Sequence, residues 1–416
     1  MTHAHHDTDR RVLLVGEAVT LAHVARPIAL ARRLVARGYR PILAADPRFA
    51  ALCPAGEWDT AEIRSIPSAD FLRALARGKP VYNVATLERY VEDDLALLRA
   101  VSPAVVIGDF RISLAVSARL SGVPYINIAN AYWSPYARPR WRAPTMPWSR
   151  HVPASLDDWV FRAARPLAFR LHARPMQALA RLHGLPHAGS ELRHVYTDGD
   201  LTLYADSPAL VPTYDRPSSH RYLGLVDWAP SVPMPPWWDA VHAGARPIYV
   251  TLGSSGDVAK LPPILAGLAR LGCPVVVATA GASLPASLPA HVYLADYLPG
   301  DVVARQSRLV VCNGGSPTSH QALLAGVPVL GTPDNLDQVL NMSYLQAAGV
   351  GEALAPRDLT KERIETLARR MLDDAGLARR AAAVGALERG KDIALPLEAA
   401  IDELCATRAV ADVTSP

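Results

Sequence analysis

The stretch most informative about the fold lies at residues 311–321 and reads VCNGGSPTSHQ. An apolar run predicts a strand that ends in two glycines, and glycine permits a close approach of a ligand to the backbone. Ser316 and Pro317 then predict an N-cap and a first-turn proline at the start of a helix. The N–H groups at such a helix end suit a diphosphate, assisted by the hydroxyls of Ser316 and Thr318. An ordinary tight turn is an equally simple interpretation of this pattern alone.

Around this stretch, short apolar runs alternate with helical patterns along most of the chain. Such alternation is typical of parallel sheets covered by helices on both faces, so the predicted class is α/β with doubly wound sheets. In the first half, strands are predicted at Val12 to Val15, Pro41 to Ala45, Val105 to Ile107 and Tyr125 to Ala129, with helices at Pro27 to Arg37 and Ser113 to Leu120. In the second half, strands are predicted at Ile248 to Leu252, Pro274 to Thr279, Val292 to Leu294, Leu309 to Cys312 and Val327 to Leu330.

The length and a proline-rich segment predict two domains. A chain of 416 residues is too long for one ordinary core. Seven prolines between Ser207 and Trp238 make a long helix improbable there and predict an interdomain linker. We therefore place an N-terminal domain at 1–225 and a C-terminal domain with terminal helices at 226–416. Ligands are expected in the loops that follow the strands, since these loops meet at one edge of a parallel sheet.

Composition excludes several classes of protein. A net charge of +4 is too weak over this length to predict nucleic-acid binding. The four cysteines have neither the paired spacing of zinc sites nor that of secreted scaffolds, which favours a cytoplasmic location. The N-terminus does not resemble a signal peptide, and no run of about 18 apolar residues predicts a transmembrane segment.

Motifs of the second half resemble a known donor site. Residues 326–330 read GVPVL and residues 333–338 read PDNLDQ. With the glycine-rich loop, they resemble the donor signature of family 1 glycosyltransferases, which have the GT-B fold of two Rossmann-like domains facing a cleft. The resemblance implies that Asp337 and Gln338 hydrogen-bond the hydroxyls of the donor sugar. A solvated helix start would be the simpler interpretation of an isolated Asp-Gln pair.

Two further segments extend the resemblance to the rest of the donor site. Residues 251–256, TLGSSG, resemble the first donor-domain strand and its loop near the phosphates, and residues 296–299, DYLP, stand where the family holds the base. Tyr297 is equally well interpreted as a core aromatic. The chain departs from the family at Asn313, where histidine is usual, and at Gln321, where many UDP-using members have glutamate. The implied donor-binding residues are Gly253, Ser254, Ser255, Tyr297, Leu298, Asn313, Gly314, Gly315, Ser316, Thr318, Gln321, Asp337 and Gln338.

In the first half, residues 22–27, AHVARP, resemble the family's Gly-His-x-x-Pro loop. The resemblance implies that His23 accepts the acceptor's proton, which an imidazole can do near neutral pH. Asp109, at the end of residues 106–109, VIGD, matches the aspartate that orients this histidine. The simpler alternatives are a structural histidine and a helix N-cap.

An aromatic and basic stretch at residues 132–142 is the candidate acceptor site. Contact of Tyr132, Trp133 and Trp141 with the acceptor is one interpretation, and a loop packed by its own aromatic rings is another. Peripheral attachment of this stretch to an anionic membrane is a third.

The resemblance implies a metal-independent, inverting hexosyltransferase. The donor is expected to be a UDP- or dTDP-sugar used as co-substrate without a cofactor, and the acceptor a hydroxyl of a small or lipid-like molecule. The chain has no GxGxxG after its first predicted strand, no GxxxxGK[ST] and no HExxH. A nucleotide-sugar epimerase of the same fold and a non-catalytic binding or activator protein remain as alternatives.

Overall fold

The structure is a computed structural model that describes residues 10–52, 56–187, 189–242, 244–253, 256–282 and 291–414. The chain divides into two compact units. The first unit comprises Met1–Arg138, Ala163–Val226 and Asp392–Pro416, and the second comprises Pro139–Arg162 and Asp227–Lys391. Each unit contains one parallel sheet, so the predicted pair of doubly wound α/β folds is confirmed.

The first unit is built on a seven-stranded parallel sheet with the order β3-β2-β1-β4-β5-β6-β7. Its inner strands are mostly apolar and, apart from Arg11, buried, as expected of strands covered on both faces. The register places Gly16 of β1 beside Asp109 of β4, so the loops after these two strands begin next to each other. The strands are β1 (Arg11–Gly16), β2 (Arg40–Ala45), β3 (Asp59–Glu62), β4 (Val105–Asp109), β5 (Tyr125–Ala129), β6 (Leu201–Tyr204) and β7 (His220–Tyr222).

Helices connect these strands by crossovers. The first of them starts five residues earlier than predicted, so it includes His23 in its first turn. The helices between Ala22 and Tyr196 are α1 (Ala22–Val35), α2 (Ser68–Ala76), α3 (Val84–Val101), α4 (Leu114–Ser121), α5 (Ala154–Leu182) and α6 (Leu192–Tyr196).

The second unit has a six-stranded parallel sheet with the order β10-β9-β8-β11-β12-β13. Cys312 of β11 pairs with Thr251 of β8 on one side and with Gly331 of β12 on the other, so the loops after these three strands share one edge. The strands are β8 (Ile248–Thr251), β9 (Val275–Ala278), β10 (Val292–Ala295), β11 (Leu309–Cys312), β12 (Val329–Gly331) and β13 (Gly351–Ala353). The helices are α7 (Trp238–His242), α8 (Leu261–Leu268), α9 (Gly300–Gln306), α10 (Ser316–Leu324), α11 (Leu336–Ala347), α12 (Lys361–Asp373) and α13 (Ala375–Arg389). The helix that follows them, α14 (Ala394–Thr414), belongs to the first unit.

The division into units differs from two contiguous domains. One change of unit falls between Val226 and Asp227, one residue from the predicted boundary. Residues 139–162 belong to the second unit although they precede that boundary, and α14 packs on α1 and β4 of the first unit. The proline-rich segment also contributes the edge strand β7, because an edge strand tolerates neighbouring prolines that a central strand would not.

Within the described part of the chain, no helix combines the length and apolar character that crossing a membrane requires.

Candidate active site

His23 and Asp109 lie together at the carboxyl edge of the first sheet. The Nδ1 atom of His23 is 2.7 Å from Oδ1 of Asp109. The carboxylate is buried, with 1% of its side chain exposed, whereas 18% of the imidazole is exposed. A proton held on Nδ1 by the carboxylate leaves Nε2 as the basic nitrogen, and this is the arrangement that a general base requires.

Gly16 allows this close approach of helix to strand. A Cβ atom at position 16 would lie 2.6 Å from the carbonyl oxygen of His23 and 3.2 Å from Cα of Val24. Any side chain here would therefore push the first turn of α1 away from the end of β1. Because Gly16 is beside Asp109 in the sheet, the same displacement would separate His23 from its carboxylate.

Arg26 is a site residue that sequence reasoning missed. Its Nε and Nη2 atoms lie 2.6 Å and 2.9 Å from the two carboxylate oxygens of Asp109, and Nη1 donates to Asn130 at 2.8 Å. Nη2 is also 3.3 Å from Nδ1 of His23. The available signal was spacing, since three residues separate His23 from Pro27 where the family motif has two.

An aromatic wall flanks the imidazole. Phe110, which follows Asp109, has a φ of 61° and stacks on His23 with 4.5 Å between ring centroids. A bulky residue in this left-handed region is uncommon and is associated with functional sites. Phe71 and Tyr196 contact Phe110, and Trp133 packs edge-on against Tyr196.

The three predicted acceptor residues belong to two different units and have different surroundings. Trp133 belongs to the aromatic wall beside His23. Tyr132 is fully buried, so its ring has no exposed surface to offer an acceptor. Trp141 belongs to the second unit, where its ring lies 6.5 Å from that of Phe161.

A buried ionic cluster supports the loops of this edge. Arg111 donates to Glu17 and to Asp94, each at 2.9 Å, and all three side chains are fully buried. Burial raises the pKa of Glu17, and the Arg111 guanidinium opposes that rise. The Arg111 guanidinium also lies 3.5 Å over the ring of Tyr90. Since Glu17 follows β1 and Arg111 follows β4, this cluster ties together the two loops that carry His23 and Asp109.

In the second unit, the loop after β11 has the order of strand, glycines and helix start that the sequence predicts. Gly314 has a φ of 85°, and helix α10 begins immediately afterwards with no acidic residue in its first turn. The N-cap is Gly315, not Ser316 as predicted, because the loop is one residue shorter than the Ser-Pro pattern suggested. Ser316 and Pro317 instead occupy the first turn, and Thr318 follows them half-buried.

Asn313 and Asn341 hold this loop. The side-chain oxygen of Asn313 accepts a hydrogen bond from the Gly315 N–H at 3.1 Å, so this residue shapes the turn itself. The Asn341 amide, on α11, donates to the Gly314 carbonyl and to the Ser319 hydroxyl, both at 2.8 Å. The contacts of Asn341 could not be predicted from its sequence neighbours, because Gly314 and Ser319 lie 27 and 22 positions away in the chain.

Gln338 has a structural task in addition to its predicted contact with the sugar. It forms a capping box with Asn335: its backbone N–H donates to the Asn335 side chain at 3.0 Å, and its side-chain oxygen accepts from Asn335 N–H at 3.4 Å. The same oxygen also accepts from Asp334 N–H at 2.8 Å. Gln338 is itself buried. Asp337, one residue earlier in the first turn of α11, is half-buried.

A buried lysine braces the loop before α11. Lys260 forms an ion pair with Asp334 and donates to the Thr332 carbonyl at 2.7 Å. Burial raises the pKa of Asp334, and the Lys260 ammonium counteracts that effect. The backbone carbonyl of Asp334 accepts from Thr145 N–H at 2.7 Å, so residues 139–162 also contact this loop. Neither Lys260 nor Thr145 belongs to a motif that the sequence singled out.

The remaining donor candidates occupy varied environments. Tyr297 is exposed, which contradicts its interpretation as a core aromatic, while Leu298 is buried. Gly253 is exposed with a φ of 65°. The Gln321 amide donates to the carboxylate of Asp227 at 3.3 Å and to the Trp228 carbonyl at 3.0 Å. Ser254 and Ser255 lie outside the described residues.

Among the residues that the structure describes, no group of three or more His, Cys, Asp or Glu side chains could hold a metal ion.

Comparisons with known proteins agree with this geometry. The family model for the C-terminal domain of erythromycin biosynthesis protein CIII-like proteins matches residues 263–398. A PGL/p-HBAD biosynthesis glycosyltransferase of Mycobacterium tuberculosis is 47% identical over 366 residues, which are 88% of this chain and 86% of the relative. A PGL/p-HBAD biosynthesis rhamnosyltransferase of Mycobacterium bovis is 48% identical over 355 residues, 85% of this chain and 79% of the relative.

Solved structures share the fold. Spinosyn rhamnosyltransferase SpnG complexed with thymidine diphosphate aligns with a TM-score of 0.64 at 22% identity, covering 90% of this chain and 95% of that chain. At this identity the likeness concerns the fold, whereas the mycobacterial relatives are similar enough to show the family. The chain therefore belongs to the family 1 glycosyltransferases of the GT-B fold, enzymes that transfer a sugar from a nucleotide sugar.

Proposed function

We propose that this enzyme moves a hexose from a nucleoside diphosphate hexose to a hydroxyl of a natural-product acceptor, with inversion at the anomeric carbon and with His23 as the base. The observation that carries the proposal is the 2.7 Å contact between His23 Nδ1 and the buried carboxylate of Asp109. A carboxylate in this place fixes the tautomer and stabilises the imidazolium that forms during proton transfer.

The proposed reaction is a displacement at the anomeric carbon of the donor sugar. Nε2 of His23 takes the proton of the acceptor hydroxyl as its oxygen forms a bond to the anomeric carbon. The bond between that carbon and the diphosphate oxygen breaks on the opposite side, so the configuration inverts. The electron pair of the broken bond leaves with the nucleoside diphosphate. Asp109 remains ionised and balances the imidazolium, while Arg26 keeps the carboxylate in place.

The departing diphosphate acquires negative charge, and the start of α10 is suited to receive it. A helix N-terminus offers backbone N–H groups and a positive dipole end, and the first turn here contains no acidic side chain. We assign to the Ser316 and Thr318 hydroxyls the additional hydrogen bonds. Asn313 holds the turn, so that its contribution to binding is partly indirect.

Gln321 favours a dTDP-sugar over a UDP-sugar. The residue stands where many UDP-using members have a glutamate for the ribose hydroxyls, and its amide nitrogen is already used by Asp227 and Trp228. A deoxyribose has one hydroxyl fewer than ribose, so it loses fewer hydrogen bonds when glutamine replaces that glutamate. The similar fold of a rhamnosyltransferase complexed with thymidine diphosphate supports the same choice.

The aromatic wall favours an acceptor with an apolar, ring-bearing portion. Phe110 stacks on His23, and Tyr196 and Trp133 continue the wall. Aromatic side chains contribute large contact areas and prefer stacked or edge-on partners.

The test is transfer by the purified chain from dTDP- and UDP-hexoses to a panel of phenolic and aliphatic hydroxyl acceptors, with and without EDTA. We expect a product of inverted anomeric configuration by NMR, and activity that persists in EDTA. His23→Ala should lower turnover by about 10² or more while the dissociation constant of the donor stays nearly unchanged. A matched control is His291→Ala, a histidine of the second unit that contacts a backbone carbonyl.

Each other outcome has a definite meaning. Equal turnover of His23→Ala and the parent would remove His23 from the mechanism. Release of an epimerised sugar without transfer would indicate an epimerase. No nucleotide binding in the parent, with binding restored by Asn313→His, would indicate a non-catalytic protein that has lost its donor site.

A further inference from the structure

Helix α5 exposes an apolar surface in the part that belongs to the first unit. On its packed side, Phe169, Ala173, Met176 and Ala180 are buried. On the opposite side, Leu167 is 62% exposed and Leu171 is 39% exposed. These two leucines are four residues apart, and Arg174 follows at the spacing of seven, so all three lie on one helix face.

The same helix is unusually basic. Residues 159–190 contain five arginines and neither aspartate nor glutamate, although the whole chain has nearly as many acidic as basic residues. Arg170, Arg174 and Arg181 are exposed, and none of them forms an ion pair within the described ranges. Exposed arginines on other helices, such as Arg363 and Arg369, are paired with carboxylates of the chain itself.

The first two turns of the helix, which belong to the second unit, have similar chemistry. Leu156, Trp159 and Val160 are exposed there. Single exposed apolar residues need no explanation, but leucine, tryptophan and arginine together on one helix are the composition of interfacial membrane-binding helices. Tryptophan favours the boundary between lipid headgroups and acyl chains, because its ring is apolar while its N–H is polar.

We propose that the exposed face of α5, formed in the first unit by Leu167, Leu171, Arg170, Arg174 and Arg181, docks on the surface of an anionic lipid bilayer. Its leucines would enter the acyl boundary while the guanidinium groups bind lipid phosphates, for which the planar arginine fork is well suited. The charge of this part of the helix favours an anionic surface. The acidic residues of α5, Asp157 and Asp158, lie in its first two turns, and none lies between Trp159 and Leu182. Within the described chain, no carboxylate forms an ion pair with Arg170, Arg174 or Arg181.

This docking differs from the membrane attachment considered for residues 132–142. Those residues are an irregular stretch, whereas the present surface lies on one helix, which contains Pro166 and Pro175 and places Leu167, Leu171 and Arg174 at helical spacing. The docking surface includes neither residues 311–321 nor His23 and Asp109. It therefore neither requires nor tests the proposed transfer reaction.

The test is co-sedimentation of the full chain with vesicles of phosphatidylcholine alone and of phosphatidylcholine with 30% phosphatidylglycerol, about a third anionic lipid as in many cytoplasmic leaflets. We expect binding to the anionic vesicles, little binding to the neutral ones, and weaker binding at high salt. Arg170→Gln combined with Arg174→Gln should weaken binding roughly 25-fold, since each arginine near an anionic surface contributes about fivefold. Leu167→Ser combined with Leu171→Ser should weaken it by about tenfold or more.

Matched controls separate this surface from net charge. Arg363→Gln combined with Arg369→Gln removes the same two charges from α12 and should leave vesicle binding nearly unchanged, as should Leu387→Ser on α13, an exposed leucine elsewhere. Thermal unfolding of every variant checks that the fold is retained. The proposal is overturned if the parent does not bind anionic vesicles, if neutral vesicles bind equally well, or if the α12 variant loses as much binding as the α5 variant.

Discussion

Replacing Arg26 by glutamine would show how much the His23–Asp109 pair depends on its guanidinium partner. The change removes a cation whose nitrogens lie 2.6 Å and 2.9 Å from the carboxylate oxygens of Asp109. Both side chains are buried. Among the described residues, His23 would remain as the side-chain partner of the carboxylate. Removal of one member of a buried ion pair costs about 3–5 kcal/mol, because the remaining charge is left uncompensated in a dry environment.

We therefore expect the free energy of unfolding to fall by about 3–5 kcal/mol and Tm to fall by roughly 6–20 °C. Turnover should decrease by about 10- to 100-fold, since an imidazole without a fixed carboxylate loses its orientation. Donor affinity, measured by calorimetry, should stay the same, because the donor candidates belong to the other unit. Arg26→Lys should recover part of the stability but little of the turnover, because an ammonium cannot reproduce the two-pronged contact.

A double-mutant cycle with Asp109→Asn isolates the pair from general damage. If the two residues interact, Arg26→Gln should lower the free energy of unfolding by at least about 2 kcal/mol less in the Asp109→Asn background than in the parent. Arg32→Gln is the control on the same helix: Arg32 and its partner Glu57 are both exposed, so its loss should cost less than about 1 kcal/mol. This reasoning is refuted if the losses of unfolding free energy in Arg26→Gln and Asp109→Asn simply add in the double variant. It is also refuted if Arg26→Gln is as stable and active as Arg32→Gln.

Three further predictions concern the donor unit and acid stability. Asn341→Ala should weaken binding of a nucleoside diphosphate by about tenfold, as two hydrogen bonds to the phosphate loop are lost; an unchanged calorimetric affinity would contradict this. Asp337→Ala should weaken the nucleotide sugar but not the free diphosphate, and equal losses would exclude a sugar contact. Burial lowers the pKa of His220 to about 4, so between pH 6.5 and 4 the unfolded chain binds more protons and the free energy of unfolding should fall on acidification. His220→Phe should lose part of that pH dependence, as judged by Tm at pH 7 and 4.5; an identical dependence would exclude His220 as its source.

Residues 311–321 illustrate what could be predicted from sequence neighbours. The strand, the two glycines and the helix start are adjacent in the chain, so turn chemistry and periodicity were sufficient to predict them. The position of the N-cap was wrong by one residue, because the order of Ser316 and Pro317 does not determine where the backbone first becomes helical. The second task of Gln338 was also missed, since a capping box depends on side-chain conformations as well as on spacing.

The amino-acid sequence by itself determined the parallel α/β class and the strand, glycine and helix order of residues 311–321, because these follow from patterns within a few residues. The candidate residues His23, Asp109, Asp337 and Gln338 were implied by the resemblance of short motifs to a known family. The tertiary structure decided which side chains meet: Arg26 reaches Asp109 across 83 positions of the chain, and Lys260 reaches Asp334 across 74. Such partners are set by the crossovers that bring distant strands side by side, and no local pattern records which buried charge a crossover will place next to which.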